Sequence, residues 1–322
     1  MTGAQVLVET TRAGMVESQH RGHAVIVADD GDVVAGLGDT TAVVYPRSAV
    51  KPLQAAGMVQ SGLDLRGSAL ALASSSHSGE PFHIEGVCAI LQRAGLTEDV
   101  LRCPPDLPYA EEARREFLAS GAGPQRVVMN CSGKHAAMLT TCVLNDWPVE
   151  TYLEPGHPLQ IHLREVIGSL AGAVPAPAST DGCGAPLWGL PLVALARAMV
   201  NVASDVAGSA VVEAMRQHPE YVGGTTRDVT HLMRGVPGLA AKDGAEAVQA
   251  MSLRIAGQRF GIAIKIEDGS DRARPVVAAA TLARLGLDAP VITEHLRRPV
   301  LGGGRPVGML RPSALLAEFA GM

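Results

Sequence analysis

The sequence predicts an α+β protein, on three observations. Strand-like runs fill the first 45 residues, strands return after residue 240, and the apolar spacing between about 48 and 217 is helical. Strands and helices do not alternate along the chain, which excludes a doubly wound parallel sheet. The expected architecture is one antiparallel sheet assembled from both termini, flanked by helices, around a helical middle. A single domain over 1–322 would then have a sheet part, about 1–50 and 235–322, and a helical part, about 51–234, with a cleft at their junction.

The β-rich runs at the start are 5–9, 24–27, 33–37 and 42–45, and Asp29-Asp30-Gly31-Asp32 between two of them is a hairpin signal. Helices are expected over 48–59, 81–94, 109–119, 134–144, 159–171, 186–202 and 206–217. Ser78-Gly79-Glu80-Pro81 places a proline at a first helical position, and Gly184-Ala185-Pro186 punctuates the approach to another. Strands over 246–255 and 259–267 follow, then helices over 276–285 and 291–297 and a closing segment at 306–318. Gly302-Gly303-Gly304 lacks the strand before and helix after that a dinucleotide loop needs, and reads as a turn.

Composition narrows the function. With 47% hydrophobic residues, 18% charged residues and a net charge of −5, the chain can bury a core and carries no basic footprint for nucleic acid or anionic membrane. Aromatics at 3% argue against a base-stacking platform. The first nine residues have no basic region and no long apolar core, so a cytoplasmic protein is expected. Five irregularly spaced cysteines read as reduced thiols, Cys88 and Cys142 as core on apolar helix faces, with Cys103 left open. Of the 27 basic residues only four are lysines, Lys51, Lys134, Lys242 and Lys265. A lysine kept where arginine is the rule is a candidate for chemistry that needs a removable proton.

Ser48-Ala49-Val50-Lys51 follows a strand and opens a helix, with Pro52 in the tolerated first turn. Serine and lysine three apart share a helix face, and free N–H groups at a helix start suit an oxyanion, so the pair can serve as nucleophile and base. Lys242-Asp243-Gly244 stands before a strand, where glycine lets backbone approach closely and a second cation near Lys51 favours a neutral base. Ser78 and Glu80 in the polar loop 73–80 can meet a zwitterion or cap the next helix. Asn130-Cys131-Ser132-Gly133-Lys134-His135 begins another helix, and Thr180-Asp181-Gly182-Cys183-Gly184 is a glycine turn. Cys-x-x-Lys is no standard zinc spacing, and by spacing alone Cys131 and Cys183 read as unrelated thiols.

Five motifs in this order and at this spacing carry a resemblance: Tyr45-Pro46-Arg47-Ser48-Ala49-Val50-Lys51-Pro52, Ser76-His77-Ser78-Gly79-Glu80, Asn130 to His135, Asp181-Gly182-Cys183-Gly184, and Ala241-Lys242-Asp243-Gly244-Ala245-Glu246. Over nearly its full length the chain resembles the asparaginase II family, the class 3 L-asparaginases. The resemblance implies a fold like serine β-lactamases and serine-dependent glutaminases, and hydrolysis of L-asparagine to aspartate and ammonia. It implies Ser48 with Lys51 as one nucleophile–base pair and Ser78 with Lys242 as another, Lys265 being the lesser candidate. It also implies zinc held by Cys131, Lys134 and Cys183, and a homodimer. Asp181 and His135 would orient ligands or substrate, and Arg47, His77, Glu80, Asn130 and Gly244 would complete the substrate site.

Three rivals stand beside this reading: a glutaminase, a penicillin-recognising acyl-serine hydrolase, and a non-catalytic amino-acid-binding protein. One methylene separates glutamine from asparagine, worth roughly 1–3 kcal/mol in a pocket. The penicillin reading lacks a clear Ser-x-Asn motif. With Lys51 needed neutral and Lys242 charged, the expected pH optimum is alkaline.

Overall fold

A computed structural model describes residues 3–322. It is a mixed α/β structure with thirteen α-helices and an eight-stranded sheet among the described residues. The sheet runs Arg298–Gly302, Arg305–Pro312, Gln5–Arg12, Met15–Ala28, Gln258–Ile266, Val248–Ile255, Leu239–Gly244, and Val33–Leu37 also pairs with Met15–Ala28. Every pairing is antiparallel, and the strands come from the two ends of the chain, as expected. Residues 261–266 and 22–27 are buried on both faces, which explains their near-continuous apolar character. The helix Leu192–Ser204 lies so close to the sheet that a Cβ at Gly261 would run into the backbone of Ala196.

Several boundaries differ from the sequence reading for local reasons. The first hairpin is longer, Gln5–Arg12 with Met15–Ala28, because polar residues such as Glu17, Ser18 and Gln19 occupy exposed or half-exposed positions there. The Asp29–Asp32 hairpin forms as expected, with Gly31 at φ 89° and Ala28 N donating to Asp32 O at 2.9 Å. The helix expected over 186–202 starts only at Leu192. Pro186–Leu187 and Leu190–Pro191 are short strands, paired with Ser179–Thr180 and Val43–Val44. Prolines at both strands remove the amide donors that a helix interior needs. The strand expected from 246 begins at Val248, and Leu239–Gly244 is a strand the sequence reading missed, as it missed the helices Gly67–Ala73 and Asp228–Gly235. Gly303 and Gly304, both at positive φ, turn the chain between the last two strands. Among the described residues no single helix is long and apolar enough to cross a membrane; the pair Leu192–Ser204 and Val206–Gln217, bent by 94°, passes only when joined.

Candidate active site

The junction between sheet and helical middle holds a cleft of about 350 Å³. Arg47, Ser48, Ser76, Asn130, Cys131, Asp181, Cys183, Asp243 and Gly244 line it, together with Tyr109, Arg227 and Glu246. Ser48 sits in a 3₁₀ turn, Arg47–Val50, that leads directly into the helix Lys51–Gln60 with Pro52 in its first turn. Arg47 holds φ at 49°, a left-handed conformation costing an L-residue about 1–2 kcal/mol. Its side chain is tied to Asp181, Nε donating to Oδ1 at 2.7 Å, so the strain is fixed beside Ser48. Gly244 closes the other side. A Cβ there would stand 2.8 Å from Pro46 O and 3.2 Å from Ser48 N, so only glycine lets this strand end abut the Ser48 turn.

Lys51 is 1% exposed. Its ammonium donates to Ser75 O, to Ser76 Oγ at 2.9 Å and to Cys131 Sγ at 3.1 Å. The hydroxyl it holds is therefore that of Ser76, while the Ser48 hydroxyl makes no hydrogen bond among the described residues and borders the cleft. The second serine expected at the site, Ser78, points elsewhere: it is buried and donates to Gly223 O at 2.7 Å. Backbone pairing explains the choice. Ser76 N bonds Val222 O and His77 N bonds Asn130 O, stretching the chain so that Ser76 and Ser78 fall at different places. Four serines in five residues, Ser74 to Ser78, leave no local sign of which one reaches the cleft.

Two other expected substrate residues are bonded to neighbouring segments. His77 is fully buried, its ring nitrogens meeting Ser132 Oγ at 2.8 Å and the Gly79 amide at 3.1 Å, and burial holds its pKa well below the usual imidazole value. Glu80 caps the helix Pro81–Arg93 and accepts from Thr225 N at 2.9 Å and Thr225 Oγ1 at 2.8 Å. Neither lines the cleft.

Lys242 is fully buried in the strand Leu239–Gly244, donating to Asp243 O at 2.7 Å and Asp243 Oδ1 at 2.6 Å. Burial lowers its pKa to about 8; nearby Lys51 pushes the same way, and Asp243 opposes both. Asp243 also pairs with Arg227, whose guanidinium lies 4.6 Å over the Tyr109 ring. The sequence reading placed the neutral amine at Lys51 and the charged one at Lys242, the group whose pKa burial lowers. Lys265 lies at the margin, its ammonium engaged with Glu246 O at the hairpin tip.

Cys131 precedes the helix Ser132–Leu144, which puts Lys134 one turn on, and the Asp181–Gly184 turn brings Cys183 to meet them. Lys134 Nζ donates to Cys183 Sγ at 3.1 Å. Hydrogen bonding from Cys131, with Lys134 beside it, holds the Cys183 thiol well below its usual pKa, while Cys131, donating to Cys183 and buried, is held well above. His135 Nδ1 is 2.6 Å from Tyr152 OH, and its buried Nε2 has no hydrogen-bond partner of ordinary geometry. Two sulfurs and an amine form a donor set that fits zinc by chemistry. Among the described residues no three His, Cys, Asp or Glu side chains are grouped to bind a metal, so a zinc here needs the Lys134 amine as its third donor.

Buried lysines thus stand behind the serine hydroxyls of this cleft, in an α+β frame. The chain belongs to the L-asparaginase II family, which it matches over residues 8–312. No curated protein sequence matches it significantly. Among solved structures, Mglu is similar at 15% identity, covering 83% of this chain and 67% of that one, with a TM-score of 0.44. Mglu in its native form gives 14%, 83%, 64% and 0.45, and a Bacillus glutaminase 13%, 78%, 84% and 0.36. The chain spans 61–67% of the length of the Mglu chains it matches.

Proposed function

We propose that the protein hydrolyses L-asparagine to L-aspartate and ammonia with Ser48 as nucleophile, on a fold of the serine β-lactamase kind. The observation that carries this reading is the unbonded Ser48 hydroxyl in the same cleft as a second hydroxyl, Ser76, held by buried Lys51. Ser48 Oγ bonds to the side-chain amide carbon and its proton travels over Ser76 Oγ to the lysine pair. The C–N bond then breaks, and ammonia leaves with that proton. Water repeats the sequence on the acyl-serine and releases aspartate. The backbone N–H of Ser48, beside Gly244, suits the developing oxyanion, while that of Ala49 already donates to Pro46 O. Arg47 and Arg227 suit the substrate carboxylate. Ammonia release from L-asparagine and L-glutamine tests the reading, and turnover of glutamine alone or acylation by a labelled penicillin replaces it with a rival.

The pH dependence follows from Lys242. An amine with a pKa near 8 is charged below that pH and neutral above it, so the pair can accept the Ser48 proton only as pH rises. Turnover is expected to climb through about pH 8, the apparent pKa belonging to the coupled lysines. Lys242→Met removes the amine that titrates there, so residual activity rises only at more alkaline pH. Lys265→Met leaves the limb in place, and the reverse result would exchange the two lysines.

Cys131, Lys134 and Cys183 would hold zinc, which when bound supplies a fixed positive charge and a Lewis acid beside the substrate. Metal analysis is expected to find about one zinc per chain, as for a three-ligand open site. Cys183→Ser then lowers metal content and raises KM more than it lowers kcat, if the ion positions substrate. Full activity in metal-free protein would return both cysteines to a structural role. A cytoplasmic homodimer completes the proposal.

A further inference from the structure

We propose that Glu246 reads the α-ammonium of the substrate and so restricts the site to free α-amino acids. This rests on the reading of the cleft as an amidohydrolase site. Five carboxylates line that cleft, and four are already engaged. Asp181 holds Arg47, Asp243 holds Lys242 and Arg227, Asp271 accepts from Arg274 Nε at 2.7 Å, and Asp106 accepts from Leu107 N at 2.8 Å. The Glu246 carboxylate makes no hydrogen bond or salt bridge among the described residues; the Lys265 ammonium feels its charge but bonds the Glu246 carbonyl instead.

Several contacts hold this unbonded carboxylate in place. Glu246 and Ala247 occupy the hairpin tip after the last strand pair, Gly244 with Val248, at φ 60° and 53°. Glycine is the usual solution at such positions, and two consecutive L-residues there are strained. The strain persists because the tip is fixed from three sides. Lys265 donates to Glu246 O, and Ile266 N donates to Ala247 O at 3.2 Å. Gly269, itself at φ 71°, packs so close that a Cβ would come within 2.5 Å of Glu246 Oε2. A fixed carboxylate without a bonded partner, in a cleft whose other acids are committed, suits a ligand ammonium, since a charge-assisted bond to a preplaced acceptor loses little to reorganisation.

The experiment compares kcat/KM for L-asparagine and for succinamate, the same amide without its α-amino group, in wild type and in Glu246→Gln. The preference for asparagine is expected to fall roughly 10- to 100-fold in the variant, the span of one charge-assisted hydrogen bond, and to fall through KM. An unchanged preference, or equal losses on both amides, overturns the assignment while leaving the amidohydrolase reading intact. A wild type that prefers L-glutamine, with the same loss for glutamine against glutaramate, supports Glu246 and overturns asparagine specificity alone. Ammonia from none of these amides overturns both.

Discussion

Ser48→Ala is expected to lower kcat for amide hydrolysis by at least roughly 10³-fold with KM changed only a few-fold, because the deleted hydroxyl makes its bond to substrate after binding. No other side chain takes its place: Ser76 is tied to Lys51, and Ser78 is turned to Gly223. Ser76→Ala is expected to cost less, on the order of 10²-fold, the usual scale for losing a proton-transfer partner. Mass spectrometry of enzyme quenched during turnover separates the roles. An acyl adduct should form in Ser76→Ala and not in Ser48→Ala. Wild-type rates in Ser48→Ala, or an adduct that survives there and vanishes in Ser76→Ala, would move the nucleophile to Ser76.

Lys51→Met should be nearly as inactive, and for a different reason. The Lys51 ammonium bridges Ser75 O, Ser76 Oγ and Cys131 Sγ from the core side of the cleft. Methionine fills similar space but leaves three polar atoms without their donor, at roughly 1–3 kcal/mol for each buried group left unsatisfied, offset by no longer burying a charge. Thermal unfolding should therefore shift only modestly while activity collapses. Lys51→Arg keeps the charge and fails too, since a guanidinium holds its proton at every working pH. A Lys51→Arg variant retaining roughly a tenth or more of the wild-type rate would mean that this amine carries no proton, because arginine cannot take over that task.

Most of the fold and part of the site could be read from residues alone. Alternating or continuous apolar runs marked the sheet ends, and a helix over 206–217 was expected at the bounds the structure gives. What was lost was context. Leu239–Gly244 reads locally as a loop lysine before a strand, and becomes a strand because Val248–Ile255 pairs along it. The approach to 191 reads as helix by apolar content, until two prolines and short strands to Val43–Val44 and Ser179–Thr180 decide otherwise. At the site, Arg47, Ser48, Asn130, Cys131, Asp181, Cys183 and Gly244 line the cleft, with Lys51 and Lys134 against it. His77, Ser78 and Glu80 do not line it and bond neighbouring segments, while Ser76, Tyr109 and Arg227 line it without having been singled out. Hydroxyl direction depends on partners from distant parts of the chain, Val222 and Asn130, which no local pattern reveals.

The scarcity of lysine has a further meaning once its burial is known. Lys51, Lys134, Lys242 and Lys265 are 1%, 2%, 0% and 8% exposed. The outer surface thus carries its permanent side-chain positive charge on guanidinium alone, so acylating reagents, aldehyde fixatives and lysine-modifying enzymes find no open side-chain amine to attack while the protein stays folded. Its coat is chemically quiet, and the four lysine amines lie behind or at the margin of the cleft.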